Sequence, residues 1–102
     1  MEQYKIDFDS MMWETPADGV KFKAYQQGGR KLRLVEFAKE FVEPDWCTKG
    51  HIGYVLQGQM EIDFDEKKVV FDAGDGLFIS TGKKHRAKVL TDVAKVILVE
   101  DV

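Results

Sequence analysis

Met60, Ile62 and Phe64 alternate with Glu61, Asp63 and Asp65. Such a period of two places one face of a strand in a core and the other in water. The turn Asp65-Glu66-Lys67 then leads into Lys68-Val69-Val70-Phe71, so this stretch predicts a hairpin. The same reading predicts strands over Tyr4 to Phe8, Val20 to Tyr25, Lys31 to Phe37, His51 to Leu56, Leu77 to Ser80, His85 to Leu90 and Ala94 to Glu100. Gly28-Gly29 supplies the turn between the second and third of these. Met11 to Gly19, with Pro16 and Asp18-Gly19, reads as a loop. A helical period shows only weakly, around Glu36 to Phe41. Many short strands at regular spacing predict an all-β fold, a sandwich or a barrel, because closing the sheet removes exposed edges.

The chain has 102 residues, which predicts one domain over 1–102. Residues 1–19 are expected to cover the barrel or a partner subunit, with Met11, Met12 and Trp13 at a barrel end or a partner contact. Apolar residues make up 44% and charged residues 32%, enough bulk for a core. Net charge is −3, with Lys and Arg scattered among Asp and Glu, so no basic face is available for nucleic acid. No apolar run reaches membrane-spanning length, and Met1 to Ser10 lacks the apolar stretch of a secretion signal. A cytoplasmic protein is expected. The single cysteine, Cys47, suits a reducing compartment.

Two stretches carry the chemistry: Asp45-Trp46-Cys47-Thr48-Lys49-Gly50-His51-Ile52-Gly53-Tyr54-Val55-Leu56-Gln57-Gly58, and Gly74 through His85. Here the chain resembles the cupin family, whose motifs are G(x)5HxH(x)3-4E(x)6G and G(x)5PxG(x)2H(x)3N. The second motif matches at Gly74, Gly82 and His85, with Ser80 in place of proline and Val89 in place of asparagine. In the first, Gly58 is in register and His51 stands where the family has Glu. Asp45 and Cys47 hold the positions of the His-x-His pair, and Lys39 that of the opening glycine. The resemblance covers roughly residues 39 to 89 and implies a jelly-roll β-barrel, the double-stranded β-helix. It also implies a divalent metal inside the barrel, with His51, His85, Cys47 and Asp45 as ligand candidates, and a family habit of pairing barrels as homodimers.

The donor types agree with that implication. Asp45 and Cys47 share a face if their segment is extended. Thiolate, imidazole and carboxylate suit zinc, favoured by Cys and His donors, or iron, favoured by a His-rich site with open positions. A plainer reading competes at each residue. His85 could be a strand histidine bonded to a carbonyl, His51 a space-filling ring, Cys47 a small buried apolar residue, and Asp45 the end of a loop after Pro44. Trp46 is expected in outer packing or a dimer contact, and Lys83, Lys84 and Arg86 in a solvated turn. Three functions follow as expectations: a metal-dependent enzyme of dioxygenase or isomerase type acting on a small polar molecule; a metal-free ligand-binding or regulatory module; and a structural homodimer, with Tyr4 to Phe8 placed to exchange between copies.

Overall fold

The glycine pair between the second and third expected strands sets the first long hairpin. Gly28 and Gly29 have φ of 58° and 78°, the left-handed pair that a two-residue hairpin turn requires. In the computed structural model, which describes residues 4–102, they join β2 (Val20–Gln27) to β3 (Arg30–Ala38). The register runs from Gln27 opposite Arg30 to Val20 opposite Phe37. β3 then pairs along its whole length with the last strand, β9 (Val93–Asp101). β9 continues the sheet to β4 (His51–Gln57), and β4 to β7 (Gly76–Ile79). With β1 (Glu14–Ala17) on the far edge, the order is β1-β2-β3-β9-β4-β7.

The second sheet is built on the alternating stretch. β5 (Gln59–Asp63) pairs with β6 (Lys68–Asp72) on one side and β8 (Arg86–Val89) on the other. Residues 42–47 extend it through bridges of Val42 to Lys88 and Cys47 to His85. The two antiparallel sheets face each other as a jelly-roll barrel. Between them lie Val35, Val55 and Val96, the largest fully buried side chains, with Met60, Ile62, Leu77, Ile79 and Leu98. No helix among the described residues is long and apolar enough to cross a membrane.

Three expectations change. Tyr4 to Phe8 forms no strand; the chain is irregular to a short 3-10 turn at Phe8–Ser10. Lys23 Nζ donates to the Phe8 carbonyl at 2.7 Å, and Lys21 and Lys23 sit 4.6 and 4.7 Å from the Trp13 ring centroid. This segment therefore lies against β2. The supposed loop Met11 to Gly19 contains β1, whose four residues are all exposed. A strand with no buried face leaves no alternation to detect, and its edge position tolerates Pro16. Around Glu36 to Phe41 there is strand to Ala38 and then a turn, with Glu40 at φ 65°. Met1 to Gln3 lie outside the described residues, and with them the first part of the expected 1–102 domain and of its covering segment 1–19.

Candidate metal centre

Strand parity decides which side chains enter the barrel. On β9, Ala94, Val96, Leu98 and Glu100 are buried while their neighbours are less so. On β4, His51 shares its face with Gly53 and the fully buried Val55. His85 enters from the facing sheet at the start of β8, 3% exposed. Cys47 meets it through paired backbone bonds, Cys47 N–H to the His85 carbonyl at 2.8 Å and the reverse at 2.9 Å.

Three of the four sequence-nominated residues converge. The ligand atoms of Cys47, His51 and His85 all lie within 4.8 Å of one another. Bonds of about 2.0–2.3 Å to a tetrahedral ion would set donors roughly 3.3–3.8 Å apart, so modest closure around an ion suffices. The two imidazoles stand edge to face, centroids 5.1 Å apart at 83°. Asp45 is not among them; it is exposed. The chain bonds opposite Ala87 at Glu43 and opposite His85 at Cys47, so Pro44, Asp45 and Trp46 together oppose the single Arg86. That bulge breaks the alternation on which Asp45 was placed beside Cys47.

Each imidazole has its tautomer set by its other nitrogen. His85 Nδ1 lies 2.7 Å from the Lys83 carbonyl oxygen. A carbonyl can only accept, so Nδ1 carries a proton and Nε2 is the nitrogen left to face a ligand. His51 Nδ1 lies 2.6 Å from Glu100 Oε2. Burial pushes the Glu100 carboxyl up, but hydrogen bonds from His51 and Arg33 and the nearby positive charge outweigh it and hold its pKa at about 2. Glu100 is therefore an ionised acceptor for the His51 Nδ1–H, and Nε2 of His51 is likewise the nitrogen left to face a ligand. Arg33 grips the same carboxylate from the other side, with Nε and Nη2 each 2.7 Å from an oxygen.

Sequence reading missed Arg33, Glu43, Lys49 and Glu100. Strand parity carried the signal for two of them: Glu100 shares its face with Ala94, Val96 and Leu98, and Arg33 shares its face with Val35 and Phe37. Glu43 and Lys49 sit in irregular chain and gave no periodic signal. Behind the three donors opens a cavity of 230 Å³ whose walls include Val35, Phe37, Met60, Ile62, Leu77 and Leu98 and whose charged lining includes Arg33, Glu43 and Lys49. Outside, Trp46 is flanked by Lys84 Nζ at 4.5 Å and Arg86 Cζ at 4.3 Å from its ring centroid. Lys83 and Lys84 pair with Glu66 and Asp65.

Solved structures repeat this architecture. KdgF from Halomonas sp. superposes with a TM-score of 0.78 at 22% identity, over 92% of this chain and 91% of that one. An RmlC-like cupin from Shewanella frigidimarina gives 0.83 at 18% identity, over 98% and 91%. The cupin domain of Cnp3 from Schizosaccharomyces pombe gives 0.80 at 12% identity, over 96% and 73%. At these identities the likeness is one of fold. No curated protein matches the chain. The family model described as "Cupin domain" matches residues 38–100, and it spans both histidines, the cysteine and the strands that carry them: the chain belongs to the cupin domain family.

Proposed function

We propose that the protein holds one divalent metal through Cys47, His51 and His85 and binds or acts on a small polar molecule in the adjoining cavity. The observation that carries this is the convergence of three donors, two of them imidazoles whose Nδ1 atoms are fixed as hydrogen-bond donors, which leaves Nε2 as the nitrogen to face a ligand. A thiolate with two neutral imidazoles favours zinc, with iron the other candidate. When bound, such a metal supplies Lewis acidity at a coordination position that three protein ligands leave open. The protein's own part is to orient the imidazoles through Glu100 and Lys83 and to present a mostly apolar cavity that limits water.

Elemental analysis of protein expressed in metal-replete medium tests the reading. One metal per chain is expected, falling toward zero in His85→Ala and Cys47→Ala. A content far below one in the parent protein overturns it in favour of the metal-free module, for which the replaced His-x-His pair speaks. Under that second reading His51 and His85 contact an organic ligand directly, and zinc salts leave the melting temperature unchanged. We further propose that the barrel pairs with a second copy through the outer face of its larger sheet.

A further inference from the structure

The charged groups around the cavity are not all spent on one another. A guanidinium has five N–H donors, and the fork from Arg33 to Glu100 uses Nε and Nη2. Nη1 makes no hydrogen bond among the described residues. Since no buried side-chain nitrogen or oxygen among them lacks a partner, Nη1 is accessible, and Arg33 borders the cavity. Lys49 borders the same space and is exposed, with no ion pair among the described residues. The opposing charge is Glu43, and its Oε1 already accepts the Ala87 N–H at 3.1 Å. Apart from Cys47, His51 and His85, the remaining walls are apolar.

We infer that the ligand of this cavity is a small organic acid, its carboxylate held by the free Nη1 edge of Arg33 and by Lys49, its apolar part against Phe37, Met60 and Leu98. This rests on the proposed ligand cavity and names its substrate class. Guanidinium and ammonium donors in a partly dry cavity bind a carboxylate through charge-assisted hydrogen bonds that an amide of the same shape cannot match. A cationic ligand would offer neither Lys49 nor the Nη1 edge of Arg33 an acceptor, and a neutral one would leave Lys49 without a counter-charge. At 230 Å³ the space lies below the range for drug-sized ligands and admits about ten non-hydrogen atoms.

The test is a nuclear magnetic resonance titration of the whole chain, metal-free and zinc-loaded, with isovalerate, isovaleramide and isoamylamine as probes. Isovalerate is expected to shift the Arg33 Nε and Ala87 amide signals saturably, at least about tenfold more tightly than either other probe. Lys49→Gln, at an exposed site with no ion pair among the described residues, should weaken isovalerate severalfold while metal content stays unchanged. Equal binding of the amide or amine, absence of saturable shifts by isovalerate, or an unchanged affinity in Lys49→Gln overturns the inference. Metal content is measured on the same samples. Acid selectivity without metal would sink only the metal reading, and metal without acid selectivity only this one.

Discussion

Glu100 carries charge on a strand face that is otherwise Ala94, Val96 and Leu98, and it stays ionised there because two donors reach it from different strands. With its pKa lowered from 4.5 to about 2, the sign of its linkage is fixed. The stabilisation is complete above pH 4.5 and is lost as pH falls from there through 2. Chelator-stripped protein should therefore lose melting temperature across that window, and Glu100→Gln should flatten the loss. A parallel decline in the variant would contradict this. Toward metal, Glu100 acts through His51 by holding its ring and tautomer. Glu100→Gln is expected to lower zinc affinity about 10–100-fold, measured by competition with a chromophoric chelator, and an unchanged affinity would show His51 positioned by packing alone. Parity along β9 makes the inward carboxylate legible from sequence. Its partner Arg33 lies 67 residues away, and no local pattern joins the two; the β3–β9 register, with Lys31 opposite Glu100 and Arg33 opposite Leu98, makes them diagonal neighbours.

The strands that alternate were legible because each has one buried face, and β1 was not because it has none. Turns divide in the same way, by what surrounds them. Gly28 has φ 58° with nothing near where a Cβ would stand, whereas Gly58, at φ 80° between β4 and β5, would drive a Cβ into the Val93 carbonyl oxygen and against Thr91 Oγ1. Thr91 Oγ1 there also accepts the Gln59 N–H and donates to the Val93 carbonyl. Gly28→Ala should cost about 1 kcal/mol through backbone strain alone, and Gly58→Ala clearly more, because carbonyl and turn must both shift. Urea denaturation of the two variants side by side checks the order, and equal midpoints would count against the close approach. The bulge at Pro44 to Trp46 marks where sequence reading fails for a physical reason. Family spacing places Asp45 one alternation from Cys47, but two extra residues opposite Arg86 turn it outward.

At the scale of the molecule, the barrel's inner and outer faces make different demands. Metal added to the stripped protein at a hundred times its dissociation constant should stabilise it by about 2.7 kcal/mol. Urea denaturation with and without zinc measures this, and an excess of chelator should reverse it. The outer face of the larger sheet is the proposed contact for a second copy. Ile52, Tyr54 and Leu56 alternate along β4 on the side away from Val55, each close to half exposed, and Phe78, opposite Ile52 on β7, is 75% exposed. Val99 and Ile97 on β9 stand opposite Ile52 and Tyr54, so these side chains form one band across three adjacent strands. Single exposed apolar residues need no partner, but a contiguous band marks an interaction surface. A two-fold axis through such a band lets it bury itself, whereas a stable dimer needs roughly 800 Å² from each copy. Phe78 is the residue with most left to bury. Sedimentation at micromolar concentration should show a dimer, and Phe78→Glu a monomer, since a carboxylate buried against apolar side chains loses its hydration. Val42→Glu, exposed on the other sheet, should remain dimeric. A monomeric parent chain, or dissociation by both substitutions alike, would remove this face as the contact and leave the metal site within a solitary barrel.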